Sequence, residues 1–67
     1  MAVVKVIEIM AESTKSWEDA TKMAVAEAAK TVRNIQSVYI KSFQAVVEGN
    51  EVVRYRVDAK ISFLVKE

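Results

Sequence analysis

The sequence contains no cysteine, no histidine and no proline, and it has a single glycine. Without cysteine the chain can form neither a disulfide nor a thiolate metal site, and without histidine it has no imidazole for metal binding or acid–base catalysis. A chain of 67 residues builds only a thin core, and such domains are commonly stabilised by disulfides, a metal or partner subunits. The composition therefore favours oligomerisation.

Concentrated charge and long apolar runs are also absent. The chain has 10 Lys plus Arg and 9 Asp plus Glu, a net charge of +1, which is not the basic field that draws proteins to phosphate backbones. No apolar run approaches the ~20 residues that span a bilayer, and the start "MAVVKVIEIM" lacks the pattern of a secretory signal. We expect one cytoplasmic domain over residues 1–67, with no nucleic-acid or membrane partner.

The first half of the chain predicts a strand followed by a helix. Residues 3–10 are rich in β-branched side chains, and "AESTK" then predicts a turn. Apolar residues recur at helical spacing over residues 16–35, and Ser16 is suited to cap the helix, with Asp19 three positions later as in a capping box. The predicted buried stripe consists mainly of alanines, which would let the helix lie close to a sheet; it comprises Trp17, Ala20, Ala24, Ala28, Thr31 and Ile35.

The second half predicts a long hairpin. Residues 37–49 and 51–67 read as strands joined around "EGNE", where Gly49 and Asn50 tolerate the positive φ of a tight turn. The predicted order is β-α-β-β, an α+β fold with one helix on one face of the sheet. In the last strand, alternate residues from Val53 to Val65 predict a face against the helix, while the intervening residues, Val52 to Lys66, predict the opposite face.

That opposite face carries charges of both signs, and two interpretations of it stay open. The row Arg54, Arg56, Asp58 and Lys60 could be a solvated surface with cross-strand pairs to Tyr39, Lys41 and Phe43 or their neighbours. Alternatively, the row could form a polar subunit interface or line the cavity of an assembly, which the small size of the chain favours.

The sequence offers few residues for chemistry. It has no phosphate-binding loop, no catalytic triad and no calcium-loop spacing, so we predict no enzymatic activity. Glu8 and Glu12 are expected to be solvated or paired with basic residues rather than catalytic. Trp17 could stack on a ligand, but its place beside the alanine stripe favours packing of the helix onto the sheet.

The chain resembles the dodecin family over essentially its whole length. The resemblance rests on "VVKVIEI", "SWEDA", "AVAEAAKTVRNI" and "YRVDAKISF". It implies a three-stranded antiparallel sheet wrapped around one helix, and twelve copies assembled as a hollow cage. It also implies storage or sequestration of flavins, which in flavin-binding members lie in pairs between tryptophans.

Two positions that match the family's flavin site are altered here. The stacking tryptophan that follows the "T-(L/V)-R-x-(L/I)-x" segment falls on Ser37, and the glutamine that binds the flavin edge falls on Arg56. Serine has no ring to stack, and arginine donates hydrogen bonds without accepting them. The resemblance therefore points to the members that lack the tryptophan, some of which are calcium dodecins.

These observations combine into one functional prediction with alternatives. We expect a non-enzymatic homododecameric cage that binds, stores or buffers a small ligand, with flavin disfavoured in its usual mode. The alternatives are calcium or other ion storage by the cage, and a structural assembly without a dedicated ligand. Arg56 repeated around an opening would hold an anionic group such as a phosphate, unless it is paired with Asp58 or with a glutamate of a neighbouring subunit.

Overall fold

The chain folds into one helix and a three-stranded sheet. A computed structural model describes residues 2–65. Its elements are β1 (Val3–Ser13), α1 (Trp17–Ala28), β2 (Ile35–Glu48) and β3 (Glu51–Val65). All neighbouring strands are antiparallel, and their spatial order is β1-β3-β2. The predicted β-α-β-β order and fold are therefore confirmed, whereas Lys66 and Glu67, which were assigned to the last strand, lie outside the described residues.

The core lies between α1 and the sheet face that we call the inner face. Ala20, Ala24 and Ala28 of the helix are buried, and so are Val57, Ala59 and Ile61 of β3. Alanine removes bulk from the helix, so the bulky core atoms come from the sheet. Side chains of the two edge strands, β1 and β2, complete this core on the inner face. They are Ile7, Ile9, Ala11, Ile35, Val38 and Ile40. The opposite surface of the sheet, which no helix covers, is the outer face.

The helix is shorter than predicted. It begins after Ser16, whose hydroxyl accepts a hydrogen bond from the Asp19 amide as predicted, but it ends at Ala28 instead of residue 35. Asp19 does not complete a capping box, because its carboxylate accepts a hydrogen bond from the Ser13 hydroxyl. The chain leaves the helical path through Asn34, which has a φ of 63°. The predicted burial of Thr31 on the helix is wrong, since it is exposed in the following turn.

The start of β2 explains the early end of the helix. Ile35 pairs with Phe63 of β3, and the amide of Leu64 donates to the carbonyl of Asn34 at 3.0 Å. Thr31, Val32 and Asn34 in this segment have lower helix propensity than its Ala, Lys and Arg, so pairing with the sheet replaces helical hydrogen bonds here. Ile35, predicted on the helix, therefore belongs to the sheet. The first strand shows the opposite error, because β1 continues through Ser13 where a turn was predicted from residue 11.

The β2–β3 hairpin closes as predicted, but its pairing is irregular. Gly49 and Asn50 have φ values of 59° and 68°, which a two-residue turn of this type requires. The register of β2 shifts between Ile40 and Ser42, which indicates a bulge at Lys41. Because one extra residue reverses the alternation, Phe43 pairs with the buried Val57 on the inner face. Phe43 itself therefore does not face the charged row, whereas its neighbours Ser42 and Gln44 pair with Asp58 and Arg56, as the prediction allowed.

Candidate ligand surface on the outer face

A polar ladder crosses all three strands near the hairpin end of the outer face. Glu12 of β1 lies opposite Arg56 of β3, and Arg56 lies opposite Gln44 of β2. Nε of Arg56 donates to Oε2 of Glu12 at 2.7 Å, and its Nη1 donates to Oε1 of Gln44 at 3.4 Å. The guanidinium of Arg56 therefore already has an anionic and a neutral acceptor within its own chain.

A second arginine converges on the same glutamate. Nε of Arg54 donates to Oε1 of Glu12 at 2.9 Å, and its Nη2 lies 3.5 Å from Oε2 of Glu48. The hydrogen bond from Arg56 and the charges of both arginines lower the pKa of Glu12, and this effect outweighs the opposing effect of desolvation. The predicted ion pairing of Glu12 is confirmed. Within the protomer the partner of Arg56 is Glu12, and not Asp58 as one prediction had it.

A second charged cluster occupies the middle of the outer face. The carboxyl groups of Glu8 and Asp58 interact closely enough to shift each other's pKa, and the Lys41 ammonium lies 3.6 Å from Oε2 of Glu8. Lys60 is directly opposite Glu8 in the strand register. The interaction between the two carboxyl groups raises the pKa of Asp58 and lowers that of Glu8, so Asp58 is the more readily protonated member of the pair. Oδ1 of Asp58 is shielded from solvent and has no hydrogen-bond partner within residues 2–65.

Ser37 lies at the far end of the same face. It is exposed, it pairs with Ser62 of β3, and the two hydroxyl groups are hydrogen bonded to each other. Tyr39, two residues further along β2, exposes 64% of its surface beside Lys60. This end of the outer face therefore presents hydroxyl groups and one phenol ring.

The two altered positions of the predicted ligand site are not neighbours in the protomer. Ser37 pairs with Ser62, and Ser62 lies six positions beyond Arg56 in β3, which is about 20 Å along an extended strand. Both positions face outward, but one protomer cannot bring them onto the same small molecule. A site that uses both residues needs side chains from more than one copy of the chain.

Trp17 does not belong to this surface. Its indole packs at the N-terminus of α1 against Phe43 and Tyr55, with ring centroids 5.4 and 5.0 Å away. The indole Nε1 donates to the carbonyl of Gln44 at 2.8 Å. The predicted packing of Trp17 onto the sheet is confirmed, and these contacts connect the helix to the hairpin on the inner face.

The described part of the chain has neither a metal-binding cluster of side chains nor a membrane-spanning helix. Residues 2–65 contain no group of three or more acidic side chains close enough to hold a metal ion. Within the same residues, no helix is both long and apolar enough to cross a membrane.

Sequence reasoning missed the two-arginine cluster on Glu12. The only signal in the sequence was spacing, since Glu8 and Glu12 are four positions apart and share one face of a strand that continues past residue 10. The pairing of β1 with β3, which brings Glu12 to Arg54 and Arg56, is a tertiary feature.

Comparisons with known proteins agree with this fold. A family model described as Dodecin matches residues 3–66. A solved Thermus thermophilus structure superposes with a TM-score of 0.94 at 27% identity, covering 100% of this chain and 98% of that one. The dodecin of Streptomyces coelicolor gives a TM-score of 0.93 at 23% identity, with coverages of 98% and 94%.

A third similar structure is the calcium dodecin of Mycobacterium tuberculosis. It gives a TM-score of 0.83 at 31% identity, covering 96% of this chain and 91% of that one. That protein is described as a calcium-chelating immunodominant antigen with a novel calcium-binding site. Among curated protein sequences, none matches the chain.

Proposed function

Because this chain belongs to the dodecin family, we propose that residues 1–67 form one domain that assembles with eleven copies of itself into a hollow cage. The cage is cytoplasmic and non-enzymatic, and it binds a small ligand or ion rather than transforming it. Its protomers meet one another and need neither nucleic acid nor a membrane.

The main support for the proposed assembly is the shape of the protomer, which is extended and has a large accessible surface for its mass. Its radius of gyration is 13.6 Å and its extents are 50 × 19 × 14 Å, whereas a compact chain of this length has a radius of about 11 Å. Its accessible surface is 4993 Å², against about 4,200 Å² for a compact monomer of the same mass. Surface of this extent, with little core beneath it, is stabilised by burial against further copies.

Exposed apolar side chains support the same proposal. Large apolar residues on both faces of the sheet expose half or more of their surface; they are Val3, Val4, Val6, Met10, Phe43, Val47 and Val52. A helix of 12 residues cannot cover strands of 14 and 15 residues, so the hairpin projects beyond it. Contact between protomers would remove these side chains from water.

The proposed ligand chemistry differs from flavin stacking. Ser37 offers a hydroxyl group where stacking needs an aromatic ring, and Arg56 is engaged by Glu12 and Gln44. A bound phosphate at Arg56 would have to compete with Glu12 for the same guanidinium. We therefore propose that neither the paired flavin mode nor an anion at Arg56 operates in this cage.

Calcium is the candidate ion for this cage, and the similarity to a calcium dodecin favours it. Glu8 and Asp58 supply carboxylate oxygens on the outer face, but Lys41 and Lys60 already balance their charge. A hard cation prefers six to eight oxygen ligands, so a site here would need oxygens from neighbouring copies. Assembly is thus a condition for calcium binding in this proposal.

Two titrations of the assembled protein test the ligand. Riboflavin fluorescence should remain unquenched when the protein is added, and stoichiometric quenching would contradict the proposed loss of stacking. Calorimetry with calcium should give saturable binding in a fixed ratio to protomers if calcium is the ion. Absence of heat with calcium would remove that candidate and leave a structural assembly.

A further inference from the structure

A cavity lies at the end of the protomer that is remote from the hairpin. Its volume is about 430 Å³, and it opens between the ends of β1 and β3 and the segment that joins α1 to β2. Small-molecule sites commonly occupy about 300–1,000 Å³, so this cavity is large enough for a ligand of modest size, which would remain partly exposed because the cavity is wide open to solvent. It is separate from the polar ladder, which lies at the opposite end of the sheet.

The strand register brings the walls of the cavity together. Lys5 of β1 lies opposite Phe63 of β3, and Phe63 lies opposite Ile35, the first residue of β2. Arg33 belongs to the segment just before Ile35. The hydrogen bond from the Leu64 amide to the Asn34 carbonyl fixes this segment against β3. The left-handed backbone at Asn34 gives the segment its turn, and so Arg33 and Lys5 line the same cavity.

The walls combine positive charge with an apolar floor. Of the residues that the structure describes, Lys5 and Arg33 are the charged members of the lining, and none of the lining residues among them is a carboxylate. Within residues 2–65, neither side chain lies within 4.0 Å of a carboxylate oxygen, in contrast to Arg54 and Arg56. Phe63, with Val32 and Val65, supplies the apolar lining.

We propose that this cavity binds a small anion with an aromatic or apolar body, such as a molecule carrying one sulfonate, phosphate or carboxylate group. The ring packs against Phe63 and its apolar neighbours, and the anionic group accepts hydrogen bonds from Arg33 and Lys5. The site goes beyond the proposed cage, because each protomer carries it on its own residues and it does not use Ser37 or Arg56.

A pair of fluorescent probes tests both parts of the recognition. The anionic probe is 8-anilinonaphthalene-1-sulfonate, and the neutral probe is N-phenyl-1-naphthylamine, which has a similar ring system without the charge. We expect the anionic probe to bind once per chain and more tightly than the neutral probe. Arg33→Gln should lower the affinity for the anionic probe about tenfold, the size expected for a lost charge-assisted hydrogen bond. It should change the affinity for the neutral probe less than about twofold.

Control variants distinguish local recognition from general charge. Lys22→Gln, on the exposed side of α1, makes the same change in charge and should leave both probes unaffected. Arg33→Lys keeps the positive charge and should restore most of the affinity, while Lys5→Gln should resemble Arg33→Gln. Equal weakening by Lys22→Gln, equal affinity for the two probes, or failure of Arg33→Lys to restore binding would overturn the proposal.

The same samples separate this site from the cage. Native mass spectrometry of each variant reports assembly, while the titration reports the cavity. A monomer that still binds the anionic probe would contradict the proposed dodecameric assembly and support the proposed anion site in the cavity. A dodecamer that binds no probe would overturn the cavity and leave the cage intact.

Discussion

Glu12 and Arg56 are joined across the outer face of the sheet, with Nε of Arg56 2.7 Å from Oε2 of Glu12. They are 44 residues apart in sequence, and the pairing of β1 with β3 brings them together. Arg54 binds the other oxygen of the same carboxylate. One glutamate of the first strand therefore forms ion pairs with two arginines of the last strand.

Glu12→Gln should lower the thermal unfolding midpoint by several degrees at neutral pH. The variant keeps the shape of the side chain but removes the charge that both guanidiniums bind. Glu48→Gln is the matched control, because Glu48 is more exposed and makes one longer contact with Arg54. Circular dichroism at a fixed protomer concentration measures both, and equal shifts for the two variants would contradict the assigned role of Glu12.

Glu12 should also make the stability of the folded state depend on pH in the acid range. Its pKa is lowered in the folded state, so its stabilising effect is present above the usual glutamate value of 4.5 and is lost as the pH falls through the folded value. In Glu12→Gln this acid-dependent loss should become smaller. An acid titration of unfolding with the same slope in both proteins would contradict the assignment.

Asp58 should behave in the opposite sense. Its pKa is raised by the hydrogen bond with Glu8 and by desolvation, so the stability it contributes is present at low pH and lost as the pH rises through the folded value. Asp58→Asn keeps a donor toward Glu8 at every pH and should raise the midpoint at neutral pH. Glu51→Gln, in the exposed hairpin, is the control. A lower midpoint for Asp58→Asn at neutral pH would contradict the raised pKa of Asp58.

The close approach of helix and sheet predicts intolerance of bulk at Ala24. This residue is 1% exposed and packs beside Ala59 and Ile61. Ala24→Leu should cost about 1–3 kcal/mol of unfolding free energy, because the added atoms must displace the helix. Ala26→Leu, on the exposed side of the same helix, should change stability much less. Denaturant unfolding that fails to separate the two variants would contradict the packing described.

The sequence predicted some of this architecture because the signals were local. The Ser16 cap, the turn at Gly49 and Asn50, and the buried alternation of Val57 and Ile61 each depend on residues within a few positions. These features were predicted and confirmed.

The remainder depended on contacts between distant segments. The bulge at Lys41 reverses the facing of Phe43, and no local residue marks it. The helix ends early because Ile35 pairs with β3, which is a tertiary contact that overrides helical periodicity. The site predictions at Ser37 and Arg56 stay predictions, since both face outward but lie far apart in one protomer.

Ser37→Trp tests the ligand prediction at that position. The added indole would project from the exposed end of the outer face and should restore saturable quenching of riboflavin, because stacking needs a ring there. Ser42→Trp, also on exposed β2 but near the middle of the face, is the control. Quenching by the unaltered protein, or by Ser42→Trp alone, would contradict the proposed cause.

Native mass spectrometry of the untreated protein tests the central claim most directly. The account predicts a dominant species of about twelve times the 7.5 kDa chain mass, with no retained flavin. Dilution should not release stable monomers, because the extended protomer depends on its neighbours for burial of apolar surface. A stable monomer at micromolar concentration would contradict the cage.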